Sequence, residues 1–447
     1  MKPYKVLLFI AAVMACLAVL CVVLPGRVVI AEYELRWPTL AEVLGSIDRS
    51  TDRIQNTDSI ETLNSLDALD TLEVLDTLDI PDTLEIPETP KPQPVVVPKV
   101  KVDSTVDSRM FLARFYRSLA EAGTRTVRVL HYGDSQIEED RMTQQIREAL
   151  QARYGGSGVG LMPLAQTIPS RTVKQQIHMN GRQVQPAQGP QRYLVYGPKR
   201  DQRADGLYGV MGQVAMMNDS LVQGSEQVMA VCTPQDRTRP YTKWQVFADP
   251  TIDYALSGDT VRLQGHGAVY GLSQESDTGV IVDNIPMRGC LGLVFTKINS
   301  TQLASFYNEQ NVRLIILQFG GNAIPSNRNP GTIGAIVKGL REQVRYIQTC
   351  APQADILFIG PSDMLTQVDG EWQTYPMVPY MDRLLQKMAL EENIAYFSLY
   401  RWMGGAGSMM RWQEVGLAGT DGVHFMRSGA RKAGNAVANW IIEGMKE

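Results

Sequence analysis

"VRVLHYGDSQIEEDRM", residues 127–142, decides how the rest of the chain is read. A β-branched and apolar run suits a buried strand, Gly133 and Asp134 break it, and the charged segment after Ser135 favours a helix. The order strand, tight turn, helix predicts a β–α junction with Ser135 at the joint. In an open parallel sheet, that edge is where ligands bind. A serine there can cap the helix by accepting from a free N–H. It can equally be a nucleophile, because the same helix end offers N–H groups and partial positive charge to a developing oxyanion. Within this stretch the two roles stay open.

Working outward, Phe111, Phe115 and Leu119 fall at helical spacing before the strand, and Met142, Ile146 and Leu150 share one face after it. "VRLIILQFGGN" (312–322), "ADILFIGPSD" (354–363) and "IAYFSLY" (394–400) read as further strands. They alternate with helical segments near 331–349, 377–392 and 427–444. Such alternation predicts a parallel sheet with helices on both faces, a three-layer α/β/α architecture.

The middle of the chain differs. From 166 to 278 it carries short alternating stretches, among them "EQVMAVCTP", "TKWQVFADP", "DTVRLQGHGAVYGLSQ" and, at its end, "TGVIVDNI". Turn residues separate them, which predicts an antiparallel β-sandwich inserted into the α/β domain, whose own parts are then 107–165 and 279–447. Tyr193, Tyr196, Tyr208, Tyr241 and Trp244 offer either core packing or a sugar-binding face there.

Ahead of the globular part, Lys2 and Lys5 precede "VLLFIAAVMACLAVLCVVLP", residues 6–25, an uncharged run long enough to span a bilayer. Residues 1–25 are read as a transmembrane signal anchor in the inner membrane, with the bulk of the chain in the periplasm or otherwise outside the cytoplasm. A cleaved signal peptide is the rival reading. Residues 26–47 are juxtamembrane. From 48 to 106 the chain is an acidic, proline-rich linker, with acids at every third position from Asp67 to Glu88 and a period that suits neither helix nor strand. A solvated spacer of this kind lets a catalytic head work away from the membrane.

The net charge of -4 conceals that acidic tract, and no basic run marks a nucleic-acid partner. Cys232, Cys290 and Cys350 outside the span suit neither a disulfide framework nor a zinc site. No metal or organic cofactor is expected, since neither a ligand cluster nor a phosphate-binding glycine loop is present.

Histidine is scarce, so any histidine base comes from His131, His178, His266 or His424. His424 follows Asp421 by three positions in "GLAGTDGVHFMRSGARKAG", where a loop leads into the final helix. A carboxylate at that spacing can orient an imidazole and stabilise its charged form. Asn322 ends the strand "VRLIILQFGGN" and brings an amide donor to the same sheet edge. Gly289, in "VDNIPMRGCLG", sits in a turn whose backbone N–H can approach the same point. His131, four residues before Ser135, is read as support for the strand end or as an alternative base.

Serine after Gly-Asp, then a glycine, then Gly-x-Asn, then Asp-x-x-His, in this order, resembles the SGNH or GDSL-type esterases and acyltransferases. The resemblance covers roughly 107–165 and 279–447. "HYGDSQ", "ARYGGSGVGLMP" and the β-rich middle are most similar to bacterial peptidoglycan O-acetylesterases and related polysaccharide-acetylating proteins with an inserted carbohydrate-binding-type module. It implies a flavodoxin-like hydrolase fold. It also implies Ser135 as nucleophile, His424 as base, Asp421 as its orienter, and Ser135, Gly289 and Asn322 as oxyanion donors. Two blocks depart from the commoner pattern: Gly-Gly-Asn-Ala at 320–323, and Arg288-Gly289-Cys290.

The function expected is a membrane-anchored serine esterase that removes O-acetyl groups from an envelope glycan such as peptidoglycan. Transfer of acetyl onto a polysaccharide is the first alternative, and it needs an acyl donor, such as a membrane acyl-transfer partner, that the resemblance does not identify. A non-catalytic glycan-binding envelope protein is the second.

Overall fold

The structure, a computed structural model, describes residues 27–30, 33–36, 98–102 and 105–445, except 167, 186–190, 195–212, 218–225 and 328. The apolar stretch at 6–25, most of the acidic linker, Tyr196 and Tyr208 lie outside the described residues. Among the described residues no helix is long and apolar enough to cross a membrane. Arg27–Ile30 and Tyr33–Arg36 pair as an antiparallel hairpin.

The central sheet has five parallel strands: β1 (Thr126–Gly133), β2 (Gly279–Pro286), β3 (Val312–Gln318), β4 (Asp355–Gly360) and β5 (Ala395–Ser398). Their order is β2-β1-β3-β4-β5, the flavodoxin-like arrangement. β4 is buried throughout and β1 at every position after Thr126, so the apolar run is continuous rather than alternating, as a strand covered on both faces requires. "TGVIVDNI" is corrected here: it is not part of the antiparallel series but the parallel edge strand β2, in register with β1 from Gly279 opposite Thr126 to Pro286 opposite Gly133.

Five longer helices cover the sheet, α1 (Thr143–Tyr154), α2 (Ser300–Glu309), α3 (Pro330–Cys350), α4 (Val378–Glu391) and α5 (Arg427–Glu443), beside the short helix Ala113–Leu119. Alternate strand residues point to opposite faces. Leu130 and Tyr132 of β1 join α2, α3 and α4 in one core, whereas Val127 and Val129 join α1 and α5 in the other. The ends of α3 follow from its sequence, with Asn329 accepting from the Gly331 N–H at 2.7 Å and Pro330 in the first turn.

Between α1 and β2 the chain forms two antiparallel sheets. One contains Lys243–Ala248, Gly267–Glu275, Gln213–Met217 and Gln191–Leu194, with Gly160–Met162 paired to Gly267–Glu275. The other contains Ile252–Ser257, Thr260–Gly265, Glu226–Pro234, Val173–Met179 and Arg182–Val184. Met217, Val269 and Leu272 from the first pack with Ile177, Val228, Ala230 and Val261 from the second.

These sheets are locked to the central one by a buried ion cluster. Arg128 of β1 is only 1% exposed; its Nε donates to Asp283 Oδ2 at 2.8 Å and its Nη2 lies 3.1 Å from Glu275 Oε2. Burial disfavours the guanidinium charge, but Asp283 and Glu275 outweigh it and raise the Arg128 pKa. Asp283 Oδ1 also accepts the Leu161 N–H at 2.8 Å. A buried, paired charge cluster tolerates little displacement, because any shift leaves a buried charge uncompensated.

Candidate active site

Register brings the site together. At the C-terminal edge, Gly133 of β1 lies opposite Pro286 of β2 on one side and Gln318 of β3 on the other. Ser135, Gly289 and Asn322 follow these three positions by two, three and four residues, so the loops carrying them emerge side by side. This is also where the strand order reverses, the usual ligand position in such sheets.

His424 Nε2 lies 2.8 Å from Ser135 Oγ, and His424 Nδ1 lies 2.7 Å from Asp421 Oδ2. The Asp-x-x-His spacing now has a local cause. Asp421 Oδ1 accepts the N–H groups of Val423 (2.9 Å) and His424 (3.0 Å), closing a tight turn that leaves Oδ2 for the imidazole. Gly422 takes the left-handed conformation inside this turn, at φ +69, against Leu365. Partial burial would raise the Asp421 carboxyl, but the His424 ring and the two N–H donors outweigh it and hold it down to about 2. An ionised Asp421 takes the proton on Nδ1 as a hydrogen bond, which turns the lone pair on Nε2 towards the serine hydroxyl.

The surroundings of Ser135 differ from expectation. Ser135 does not open α1: it begins a short 3-10 turn, Ser135–Asp140, in which Glu139 and Asp140 take positive φ, and α1 starts only at Thr143. The cause is long-range. Arg288 grips Glu138 with two bonds of 2.7 and 2.9 Å, Arg171 Nε holds Glu139 at 2.7 Å, and Arg147 holds Asp140 at 2.5 and 3.1 Å. Neither the cap reading nor the helix-dipole argument for Ser135 survives.

Gly289 lies in the turn closed by the Cys290 N–H donating to Met287 O at 3.0 Å, with φ +71. It occupies the third turn position, where a left-handed conformation calls for glycine. Asn322 Nδ2 lies 3.3 Å from Asp134 Oδ2 and 3.2 Å from Cys290 O, bridging the Ser135 and Gly289 loops. Both contacts are long, so neither holds the amide tightly and it can turn towards an oxyanion at Ser135. His131 is fully buried; its Nε2 is 3.1 Å from Gln318 Oε1 and its Nδ1 is 2.9 Å from Thr143 Oγ1. Burial lowers its pKa to about 3, and it supports the strand end rather than facing Ser135.

Three neighbours went unread in the sequence. Gln136 Nε2 donates to Val423 O at 2.7 Å and ties the serine turn to the histidine loop. The Glu138–Arg288 pair fixes the residue before Gly289 to the turn that starts with Ser135, with Glu138 3% exposed. Arg288→Ala should therefore lower kcat on a small aryl ester by about tenfold with KM unchanged, since small displacements of positioning groups are costly; steady-state kinetics checks this.

Asp134 is the third. Burial raises its pKa to about 6, partly opposed by the Gln136 N–H and the charge of His424. That value exceeds the usual unfolded carboxyl near 3.9, so protonation favours the folded state at low pH and the benefit fades as pH rises through about 6. Asp134→Asn removes this titration. The variant's thermal midpoint should gain on wild type between about pH 4 and 7, and parallel pH dependences in thermal melts would contradict it.

The cleft at Ser135 is small, about 40 Å³, bounded by Asp134, Gln136, Asn322, Pro361 and Val423 among others. That is on the scale of one or two water molecules. The polar ends of Tyr241 and Trp244 are taken up internally, both donating to Gly258 O, at 2.8 and 2.9 Å. Their rings pack edge to face with centroids 5.5 Å apart. These contacts hold the pair rigidly.

No family model and no curated protein matches the chain. A peptidoglycan O-acetylesterase of known structure aligns with 78% of this chain and 99% of its own at 20% identity, with a TM-score of 0.58. A GDSL-like lipase from Parabacteroides merdae aligns with 37% of this chain and 73% of its own, at 17% identity and TM-score 0.27. The lipopolysaccharide acetyltransferase periplasmic domain of Salmonella ser. Paratyphi A aligns with 37% and 74%, at 15% identity and TM-score 0.26.

Proposed function

We propose that this chain, built on the SGNH/GDSL esterase fold, is a serine esterase that removes O-acetyl groups from a cell-envelope glycan such as peptidoglycan. The observation that carries the reading is the hydrogen-bonded line from Ser135 through His424 to Asp421 at the ligand-binding edge of the sheet.

His424 Nε2 takes the hydroxyl proton as Ser135 Oγ attacks the ester carbonyl. The tetrahedral oxyanion is met by the Asn322 amide and by the N–H groups of Gly289 and Ser135, each worth about 3 kcal/mol in such a site. Collapse releases the sugar hydroxyl, which receives the proton from His424. Water then attacks the acyl-serine by the same route in reverse. The small cleft favours a short acyl group such as acetyl.

The acceptor in the second half-reaction separates esterase from transferase. Incubation with O-acetylated peptidoglycan should release free acetate in proportion to enzyme; acetyl recovered on a supplied glycan acceptor, with no free acetate, would replace hydrolysis by transfer. We also read residues 6–25 as an anchor. A chain beginning at residue 26 should partition to the soluble fraction and the full chain to the membrane.

A further inference from the structure

The cleft at Ser135 has room for an acyl group, so the rest of a glycan ester must lie on a neighbouring surface. A groove of about 450 Å³, within the usual range for ligand sites, is linked to the active-site loops through two of its lining residues, Arg171 and Arg427. One wall is a single face of α1, where Gln144, Arg147, Glu148 and Gln151 recur at i, i+3, i+4 and i+7. That spacing gives about 10 Å of helix length. The segment from Pro234 to Tyr241, which continues from the end of Glu226–Pro234, the middle strand of its antiparallel sheet, forms the facing wall. Tyr241 is a rigid part of it, held through its hydroxyl by Gly258 and Asp259.

The groove begins at the active-site loops. The Arg171 N–H donates to Glu139 O at 3.0 Å and its Nε to Glu139 Oε2 at 2.7 Å, pinning this wall to the turn that starts with Ser135. Arg427 opens α5, three residues beyond His424. α1 itself starts at the same edge and runs away from it.

Four guanidinium groups line the groove, those of Arg147, Arg171, Arg239 and Arg427, against the carboxylates of Glu148 and Asp236. Arg147 and Arg171 are committed to Asp140 and Glu139. Arg239 and Arg427 are exposed and have no carboxylate within ion-pair distance among the described residues, although the Arg239 charge favours the ionised form of nearby Asp236. Asp236 accepts from the Thr238 N–H and hydroxyl. Two exposed guanidinium forks that no carboxylate grips directly, in a groove with polar walls, match a chain that bears carboxylates as well as hydroxyls.

We propose that this groove binds the glycan strand on the carboxylate-bearing side of the scissile acetyl ester, with Arg239 and Arg427 recognising carboxylates on its sugars. The inference rests on the esterase reading for the position of the ester, but the groove can be tested without catalysis.

The test uses the full chain carrying Arg239→Ala and Arg427→Ala together. Calorimetric titration with de-O-acetylated peptidoglycan strands, which carry carboxylates, should show affinity falling on the order of tenfold, with a smaller difference at high salt. Turnover of a neutral aryl acetate should be unchanged. Equal affinity of wild type and variant for the strands overturns the groove assignment, as does an equal loss of aryl acetate turnover, which would mean the arginines support the active site itself. Wild type that binds strands in an arginine-dependent way but hydrolyses no ester retains the groove and overturns the esterase reading.

Discussion

Ser135→Ala lowers kcat/KM for an aryl acetate by on the order of 10⁴-fold or more. The hydroxyl is the atom 2.8 Å from His424 Nε2, and alanine leaves the imidazole with nothing to deprotonate. Binding is little affected, since the Asn322 amide and the Gly289 turn do not depend on the hydroxyl, so the loss falls on kcat. Triad members act as a unit, and adding His424→Ala to Ser135→Ala should cost almost nothing further. An additive second loss in the double variant would mean that the two residues do not share one step.

Asp421→Asn is expected to lower kcat by about 10³- to 10⁴-fold while leaving the fold intact. The reason lies in the turn. Asp421 Oδ1 is held by the N–H groups of Val423 and His424, so in asparagine the carbonyl oxygen keeps those two bonds and the amide nitrogen faces His424 Nδ1. An N–H donor there selects the tautomer with the proton on Nε2, which then points at Ser135 and cannot accept from it. The effect should persist across the working pH range, because the wild-type carboxyl, held to about 2, stays ionised throughout. Its depressed value also contributes stability that is present above about pH 4 and disappears as pH falls through about 2. Near-wild-type kcat with unchanged thermal unfolding would show that the carboxylate does not set the tautomer.

Much of this site was legible because its parts sit where strands end. β1, β3 and β4 are apolar runs interrupted by Gly or Asp, and Ser135 and Asn322 follow two of those interruptions. The Asp421–His424 pair was legible from spacing, although the Oδ1 turn that makes the spacing work was not. Long-range partners hid the rest. Glu138, Glu139 and Asp140 favour helix locally, yet Arg288, Arg171 and Arg147 draw them into a broken turn. β2 reads from sequence as an antiparallel strand because it follows a series of them, and only its pairing with β1 reveals its direction. Arg128, Asp283 and Glu275 meet across 155 and 145 or more positions of chain, with no local signature. The hydrogen bonds that fix the polar ends of Tyr241 and Trp244 to Gly258 likewise have no local signature.

The central claim is a covalent acyl-serine at residue 135, and rapid acid quenching during turnover of an aryl acetate, followed by peptide mass analysis, tests it most directly. One acetyl group should appear on the peptide containing Ser135, decay as substrate is exhausted, and be absent from Ser135→Ala. Sustained product release with an unmodified Ser135 peptide, or acetyl retained on another residue in the Ser135→Ala protein at full activity, would contradict the account.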